Sequence, residues 1–361
     1  MKIATYFAIL DPERSPGIAQ KIHQTLVGLE GLDFKTNTCF TPVTGVVSHF
    51  AFAWSVFSNR SDLCIIRSTA FSMLGLMPIL FLKRLAGARI VIDLPVPNVI
   101  VKREIWTSNI SILGKIVRIL LLYVNFPWSL WAANRVLQYS DESPWFSLGL
   151  EKRAKLVSNG ISVDRIPLRE ETPTWPSDVF VMVGVAALAP WHGFDRIIEG
   201  INRLINDPPN QGKSIKVKFL VVGNGRAKKD WESLVRRLGL EDCVEFLGVL
   251  TGSDLNEIFD RAHLAIGSLG LHRNGLKTAS PLKAREYAAR GIPFVHACND
   301  LDFEPVPNFL FKVPNNDEPI DLGDLIDWFD KYSQNGPTAD TLRQYAIEKL
   351  DYKNKVSDFI N

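Results

Sequence analysis

The chain has 361 residues, of which 46% are hydrophobic, and a formal net charge of +2 at pH 7. This composition is typical of a folded globular protein and excludes a mainly disordered chain, which needs fewer apolar residues and more net charge. A charge so close to neutral also argues against a dedicated nucleic-acid binder. At about 100–200 residues per domain, the length suggests two domains, although one is possible.

The charge is divided unevenly between the two halves. Residues 1–168 carry 18 Lys+Arg and 11 Asp+Glu, a net charge of +7, and residues 169–361 carry 23 and 28, a net charge of −5. A basic half can face an anionic partner such as a membrane surface. A chance distribution of solvated charge explains the difference equally well.

Cysteines and histidines are spaced too widely for a zinc site. The four cysteines are isolated in apolar runs, and the six histidines show no HxxxH spacing. Reduced thiols of this kind are typical of a cytosolic protein. The apolar start MKIATYFAIL is too short for a signal peptide. The sequence therefore predicts a cytoplasmic chain.

Runs rich in β-branched residues alternate with helical stretches along the chain. In the first half they predict strands at Lys2–Leu10, Leu63–Ser68, Arg89–Asp93, Arg135–Tyr139 and Lys155–Val157. In the second half they predict strands at Val179–Ala186, Ile215–Val222, Val244–Gly248, Leu264–Ser268 and Pro293–Ala297. This alternation predicts an α/β fold of two Rossmann-like domains that face each other across a cleft.

A charged segment rich in proline separates the two halves. It reads RIPLREETPTWPSD over residues 165–178, a composition typical of a surface linker. We therefore predict one domain over residues 1–168 and a second over 169–337. Residues 338–361 have a helical pattern and close the chain, with a crossing back to the first domain left open.

Two apolar stretches of the first half bear on membrane contact. Residues 71–82 are apolar over about a dozen positions, which is too short to span a bilayer. In the stretch 110–137, Lys115 and Arg118 interrupt the apolar run and Pro127 breaks it. Basic residues among Leu, Tyr, Phe and Trp suit an amphipathic helix at a membrane interface. A core helix of the first domain is the alternative.

The strongest candidate for a ligand site follows the strand Leu264–Ser268. In open parallel sheets, ligands bind beyond the carboxyl ends of the strands. Here a loop with the cations Arg273 and Lys277 leads into a helix. Ser280 stands where an N-cap belongs, and Pro281 where the first helical residue belongs. The free N–H groups of that first turn favour an anion.

Lys283 and Glu286 lie early in the same helix, which Gly291 is expected to end. A positive charge at a helix start is unfavourable unless an anion binds there, so Lys283 favours a phosphate ligand. A lysine that points into water is the alternative. Glu286, at i+3, faces the same side. It can accept hydrogen bonds from a ribose diol or form an ion pair with Lys283 or Arg290.

Other strand ends carry weaker signals. The turn Gly223–Asn224–Gly225 either lets a ligand approach the backbone or is a plain turn. The segment Gly184–Gly193 ends with His192 at the start of the next helix, and Ser15–Pro16–Gly17 opens a helix after the first strand. Asp93, at the end of its strand, either faces a ligand in the cleft or serves as a turn residue.

No metal site is predicted. Asp300 and Asp302 form a DxD pair, and carboxylates suit Mg²⁺ or Mn²⁺, but this pattern is common by chance. The sequence contains no GxSxG, Walker or GxGxxG motif. Their absence argues against the corresponding hydrolase, P-loop and NAD chemistry.

Five segments of the second half, taken in order, resemble the second domain of retaining glycosyltransferases of family four, which have the GT-B fold. The segments are VGVAALAPWHGFDRIIEG, FLVVGNG, LGLEDCVEFLGVL, SDLNEIFDRAHLAI and SPLKAREYAARGIPFV. Order and spacing match over about 120 residues. The turn Ser158–Asn159–Gly160–Ile161 resembles the family's turn before the interdomain link, and the rest of the first half matches in layout only.

The resemblance implies a reaction and a role for each domain. It implies transfer of a sugar from a nucleotide diphosphate sugar, with retention at the anomeric carbon and without a metal. Residues 1–168 would then bind the acceptor and residues 169–337 the nucleotide sugar. The segments WHG and SPLKAREY are similar in sequence to those of a bacterial subgroup that acts in capsule, exopolysaccharide or lipopolysaccharide synthesis.

Single positions carry over from the family's motifs. Glu286 matches the second Glu of the E-x7-E motif, which holds the ribose, and His192–Gly193 corresponds to a Lys-Gly pair that binds phosphate. Gly17 matches a glycine loop near the diphosphate and the acceptor. The remaining expected donor-binding residues are Gly223, Asn224, Gly225, Gly248, Ser280, Pro281 and Leu282.

The sequence departs from the family at two positions. Thr278 stands where the first Glu of the motif is expected, and Ile92, beside Asp93, stands where a His is expected. The first change bears on recognition of the donor sugar. We expect Arg273, Lys277 and Lys283 to supply the missing positive charge.

The mechanism expected from these residues is electrostatic. His192, Lys283 and the start of the helix would stabilise the negative charge that develops on the leaving diphosphate, and Asp93 would orient or deprotonate the acceptor hydroxyl. The acceptor would be a saccharide or a lipid-linked saccharide at the inner membrane face. The alternatives are a catalytically weak binding or scaffold subunit and a sugar-nucleotide epimerase of the same fold.

Overall fold

The computed structural model describes residues 1–43, 45–68, 73–96, 98–108, 110–140, 153–207 and 215–360. The chain forms two compact units. The first unit comprises Met1–Ile161 together with Tyr352–Asn361, and the second comprises Ser162–Asp351. The last ten residues therefore belong to the first unit, and the rest of the predicted terminal segment 338–361 belongs to the second.

The division lies earlier than the predicted boundary between residues 168 and 169. Arg343 donates hydrogen bonds to the backbone carbonyl oxygens of Val163 and Ile166. The N–H of Val163 donates to the carboxylate of Asp351 at 3.2 Å. These bonds hold the residues after Ile161 within the second unit. The charged residues and prolines of 165–178 indicate a segment at the surface. They do not mark the boundary between the two units.

The first unit is built on a six-stranded parallel sheet in the order β2-β1-β3-β4-β5-β6. The strands are β1 (Lys2–Ile9), β2 (Phe34–Thr41), β3 (Leu63–Arg67), β4 (Arg89–Leu94), β5 (Arg135–Gln138) and β6 (Ala154–Leu156). Five of them were predicted from apolar runs. β2 was missed because its sequence, FKTNTCFT, alternates polar residues at the edge of the sheet, and most of it is not buried.

Among the described residues, five helices connect these strands: α1 (Pro16–Glu30), α2 (Val46–Ser58), α3 (Met73–Leu85), α4 (Asn98–Thr107) and α5 (Ile112–Ala132). α2, α3, α4 and α5 cover one face of the sheet and share one apolar core with it. α1 and the short terminal helices Tyr352–Lys355 and Ser357–Ile360 cover the other face. Residues 71 and 72 of the apolar stretch 71–82 lie outside the described residues.

α5 continues through Pro127, so the break predicted there is wrong. A proline inside a helix removes one hydrogen bond and costs about 3 kcal/mol. Packing of α5 against α3, and burial of Leu122 and Leu130 in the shared core, offset that cost. Within the described ranges, no helix combines the length and the apolar character needed to cross a membrane.

The second unit repeats the architecture. Its parallel sheet has the order β12-β11-β10-β7-β8-β9. The strands are β7 (Val179–Val185), β8 (Lys216–Val222), β9 (Val244–Gly248), β10 (Leu264–Ile266), β11 (Phe294–His296) and β12 (Leu310–Lys312). The helices are α6 (Asp195–Asn206), α7 (Lys228–Leu238), α8 (Gly252–Asp260), α9 (Leu282–Arg290), α10 (Leu322–Asn335) and α11 (Ala339–Tyr345). The predicted α/β fold with two Rossmann-like domains is confirmed.

Candidate active site

α9 begins one residue later than predicted. Pro281 is the N-cap, with φ −66° and ψ 132°, and Leu282 is the first helical residue. The expected N-cap at Ser280 is therefore wrong. The residue before a proline is held in an extended conformation, and Pro281 itself stays extended, so the helical turn starts only after it. The carbonyl oxygen of Pro281 accepts the N–H of Ala284 at 3.2 Å, and Gly291 ends the helix as predicted.

Lys283 and His192 meet at the start of α9. The Nζ of Lys283 lies 3.1 Å from the Nδ1 of His192, and it also lies 5.1 Å from the ring centroid of Phe194. Burial lowers the pKa of Lys283 to about 7, against an opposing effect of Glu286. Burial and then the charge of Lys283 lower the pKa of His192 to about 3. At neutral pH, His192 is thus neutral and Lys283 is partly protonated.

The turn that carries His192 packs directly on the turn after β10. The N–H of Leu269 donates to His192 O at 3.0 Å, and the N–H of Gly270 donates to Trp191 O at 3.2 Å. Gly193 has φ +66°, and a Cβ there would lie 2.7 Å from the nitrogen of Gly270. Only glycine combines this backbone conformation with this close approach. The contact fixes His192 at the carboxyl edge of the sheet.

Arg273 ties the same two turns together through its side chain. Its guanidinium donates to both carboxylate oxygens of Asp195, at 2.9 and 2.6 Å, and to Pro190 O at 2.8 Å. It also donates to Asp317 at 2.7 Å. Burial alone would lower the pKa of Arg273, but these two carboxylates raise it above its ordinary value. Arg273 therefore bridges the His192 turn to the turn that precedes α9.

Glu286 is paired with Arg290 on the surface of α9. The Oε1 of Glu286 accepts a hydrogen bond from the Nε of Arg290 at 2.9 Å, and its side chain is 26% exposed. Arg290 also donates to Asn256 at 2.8 Å. The ion-pair alternative for Glu286 is thus present. A carboxylate has further lone pairs, so its role toward a ribose stays a prediction.

The glycine turn after β8 packs against the turn after β7. A Cβ on Gly223 would lie 1.8 Å from Ala186 O, and its φ is +124°. The carbonyl oxygen of Asn224 accepts the N–H of Leu188 at 2.8 Å, and Gly248 O accepts the N–H of Gly223 at 2.6 Å. Gly225 makes a similar approach to Leu188. These glycines are required by contacts between turns, whether or not a ligand also approaches them.

The segment before α9 is held by the residues that follow β11. Asn299 donates its N–H to Lys277 O at 2.8 Å and accepts the N–H of Ala279 at 3.0 Å. Thr278 and Ser280 are buried by this pairing, while the side chain of Lys277 is exposed. The structure therefore assembles the predicted residues 277–283 as one continuous edge next to the His192 turn.

Sequence reasoning missed Arg285, which is completely buried in α9. Its guanidinium donates to both carboxylate oxygens of Asp300, and to Asp302 at 2.7 Å. The DxD carboxylates thus serve as partners of a buried arginine. Among the described residues, no cluster of acidic, histidine and cysteine side chains is arranged to hold a metal ion. The signal that could have indicated a buried Arg285 was its position among the apolar residues of the helix.

Asp93 and Gly17 lie in the first unit. Asp93 is completely buried, accepts a hydrogen bond from the hydroxyl of Tyr6, and lies 3.4 Å from Arg67. Within the described residues its Oδ1 has no hydrogen-bond partner. The expectation that this carboxylate opens toward a ligand is therefore wrong. α1 begins at Pro16, so Gly17 lies in its first turn, and a Cβ there would meet open space.

Comparisons with known proteins agree with this architecture. Residues 177–315 match the family described as glycosyl transferases group 1. A comparison with curated proteins finds no significant match.

Solved structures resemble nearly the whole chain. One is a glycosyltransferase from Rickettsia africae, with 15% identity and a TM-score of 0.63 over 99% of this chain and 97% of that one. Another is the lipopolysaccharide outer core galactosyltransferase WaaB, with 12% identity and a TM-score of 0.63 over 100% and 99%. A third is a sucrose-phosphate synthase from Thermosynechococcus elongatus, with 12% identity and a TM-score of 0.63 over 98% and 96%. At such identities the likeness shows the GT-B fold alone.

Proposed function

We propose that this chain is a glycosyltransferase that moves a sugar from a nucleotide diphosphate sugar to a saccharide or lipid-linked acceptor. We propose retention of the anomeric configuration, no requirement for a metal, and a role in bacterial capsule, exopolysaccharide or lipopolysaccharide synthesis. The contact between Lys283 and His192 at the start of α9 carries the proposal. The family match over residues 177–315, which contain this contact, supports sugar transfer.

The proposed donor site is an anion site at the start of α9. The first N–H groups of a helix have no partner within the helix, and the helix dipole favours negative charge there. Lys283 adds a cation in the first turn, and no acidic residue lies in that turn. A diphosphate placed there would stabilise protonated Lys283, whose pKa burial has lowered to about 7.

The same groups would assist bond cleavage. Breaking the anomeric C–O bond leaves negative charge on the diphosphate, so a cation and N–H groups already in place stabilise the transition state more than the ground state. Neutral His192 can accept the Lys283 N–H or donate its own N–H to a phosphate oxygen. Arg273 acts through the His192 turn, as a positioning residue.

The remaining donor contacts follow the resemblance. Glu286 would accept hydrogen bonds from the ribose, and the turns at Gly223–Gly225 and Gly248 would leave room for the nucleotide. Leu282 and Lys277 are exposed beside the anion site. Thr278, in place of the usual Glu, is buried and would offer a hydroxyl where a carboxylate is expected. We place Asp93 outside the reacting set, because it is buried beneath Tyr6 and Arg67.

Turnover tests this function directly. Purified protein is incubated with several nucleotide sugars, with and without bacterial membrane lipid extract, and released nucleoside diphosphate is measured. Release that depends on the acceptor supports transfer, and the anomeric configuration of the product tests retention. Inversion at C2 without an acceptor would show an epimerase instead. Nucleotide binding with no turnover would show a binding or scaffold subunit.

A further inference from the structure

Three neighbouring helices of the first unit expose large apolar side chains on their outer sides. Phe50 and Trp54 of α2 are 73% and 67% exposed. Leu82 and Leu85 of α3 are 57% and 84% exposed, and Leu113 and Leu120 of α5 are 71% and 59% exposed. These six residues define what we call the apolar face.

The inner sides of the same helices are already buried. Phe52 and Val56 of α2, Leu80 of α3, and Leu122 and Leu130 of α5 pack in the core on the sheet. The apolar-face residues lie on the opposite side of each helix by the helical repeat. α3 packs against both α2 and α5, so the three outer sides point away from the same sheet face. The outer sides of these helices are therefore apolar, unlike the outer side of an ordinary surface helix, which is polar.

α5 shows the pattern most clearly. Leu113, Val117, Leu120 and Val124 follow one another at helical spacing and are all exposed. Monomeric soluble proteins rarely expose large contiguous apolar patches, and such a patch marks a site of contact with another protein or a membrane. The exposed stripe therefore favours a partner for this side of the first unit.

The charge of these helices selects the kind of partner. α2, α3 and α5 contain no Asp or Glu, and they carry Lys83, Arg84, Lys115 and Arg118. Lys115 and Arg118 lie on the Leu122 side of α5, away from its exposed stripe. Arg118 is exposed, whereas Lys83 and Arg84 donate hydrogen bonds to the backbone carbonyl oxygens of Asn59 and Ala132. The long side chain of Arg118 can extend toward anionic headgroups, and these helices contain no carboxylate that would repel them.

We propose that the apolar face docks on an anionic lipid bilayer, with the exposed stripes of α2 and α5 in the headgroup region. This goes beyond sugar transfer, and it rests on the proposed function only in placing the bilayer at the inner membrane face. A protein partner is less well matched, because a protein interface is usually ringed by polar groups of both charges.

Flotation with vesicles tests the docking. The full chain is mixed with vesicles of equal parts phosphatidylglycerol and phosphatidylcholine, or of phosphatidylcholine alone. We expect binding to the anionic vesicles that weakens at raised salt, because screening reduces attraction to the headgroups. Absence of binding to anionic vesicles would overturn the proposal.

Matched variants locate the contact. Leu113→Asn with Leu120→Asn removes two exposed apolar contacts and should lower vesicle affinity by about tenfold or more. The control is Ile205→Asn with Val249→Asn, two side chains of the second unit that are 52% and 68% exposed; it should bind as the unchanged protein does. Thermal unfolding of both variants checks that they fold. Equal binding by the two variants would contradict the assignment.

Two further readouts separate this proposal from its rivals. Calorimetric binding of UDP and GDP should be the same in the Leu113→Asn, Leu120→Asn variant as in the unchanged protein. If the unchanged protein binds neither nucleotide but still binds vesicles, the transferase function fails and the docking proposal stands. Sedimentation shows whether the chain self-associates. A dimer that the variant converts to a monomer, with vesicle binding unchanged, would assign the apolar face to a second copy of the chain and overturn the bilayer.

Discussion

The two units share one architecture but differ in where most of their unusual residues lie. In the second unit, charged side chains are buried: Arg196, Arg285 and Arg290 lie in its interior with protein partners. In the first unit, apolar side chains are exposed, and they concentrate on α2, α3 and α5. The exposed large apolar residues of the second unit are scattered singly along its described residues.

Under the two proposals above, the same fold serves two chemistries. A six-stranded parallel sheet with covering helices fixes the core of both units, and the function depends on what is placed around it. In the second unit, ion pairs hold the turns that surround the start of α9. In the first unit, the helices that cover one sheet face expose large apolar side chains on their outer sides. Variants that act on one unit alone should separate the two roles.

The largest expected effect is on the stability of the second unit. Arg285→Met leaves the carboxylates of Asp300 and Asp302 without their buried cation, and it should lower the free energy of unfolding by about 3–5 kcal/mol. Urea unfolding followed by circular dichroism measures the change. Arg236→Met, at an exposed position of α7, is the control and should change stability by less than about 0.5 kcal/mol. Equal effects would show that the buried cluster is not a structural element.

Lys283→Met should have the next largest effect, on turnover instead of folding. Removing the cation that faces the leaving diphosphate should lower kcat/KM by about 100- to 1,000-fold, the range found when one stabilising donor is removed. Lys229→Met, on the exposed side of α7, is the matched control. A Lys283→Met enzyme with normal turnover would remove the anion site from the mechanism.

Glu286→Ala tests the ribose assignment in the same helix. It should weaken nucleotide binding by about 1–3 kcal/mol, the cost of losing buried hydrogen bonds. Because Glu286 also pairs with Arg290, Arg290→Gln serves as a comparison that breaks the ion pair and leaves the carboxylate. If calorimetry gives the two variants the same affinity as the unchanged protein, the carboxylate does not touch the nucleotide.

The pH dependence of nucleotide binding follows from Lys283. A diphosphate binds the protonated amine, so affinity should fall as pH rises through the folded pKa of about 7. The limiting slope is about tenfold per pH unit. Stability should change in the opposite sense: the unfolded chain keeps this proton up to its ordinary pKa of 10.5, so the folded state gains stability as pH rises between these values. Lys283→Arg should remove both dependences.

Sequence patterns predicted the parts of this molecule that depend on local order. Ten of the twelve strands lie where apolar runs predicted them, because a buried parallel strand must be apolar on both faces. β2 and the short β12 lack that signal. The start of α9 was predicted to within one residue, because proline near the start and glycine after the end are local signals for the limits of a helix.

Long-range pairing could not be predicted in the same way. The partners of Arg273 and Asp93 lie 78 and 87 residues away, and that of Arg285 lies 15 residues away in another element, so no helical or strand spacing indicates them. Asp93 is an example of a prediction that failed for this reason. Its place at the end of β4 predicted an open carboxylate, but Tyr6 from β1 covers it. The unit boundary was displaced for the same reason, because Arg343 holds residues that precede it by nearly the length of the unit.

Gly17 offers the smallest and most selective test of the first unit. A Cβ at this position meets open space and the backbone is helical, so Gly17→Ala should stabilise α1 by about 0.5–1 kcal/mol. If a diphosphate or an acceptor approaches the first turn of α1, the added methyl group should also lower turnover, and vesicle binding should stay the same because the apolar face lies across the sheet. Comparing thermal unfolding with turnover for this one variant separates the two effects. A more stable enzyme with full activity would show that Gly17 contacts no substrate.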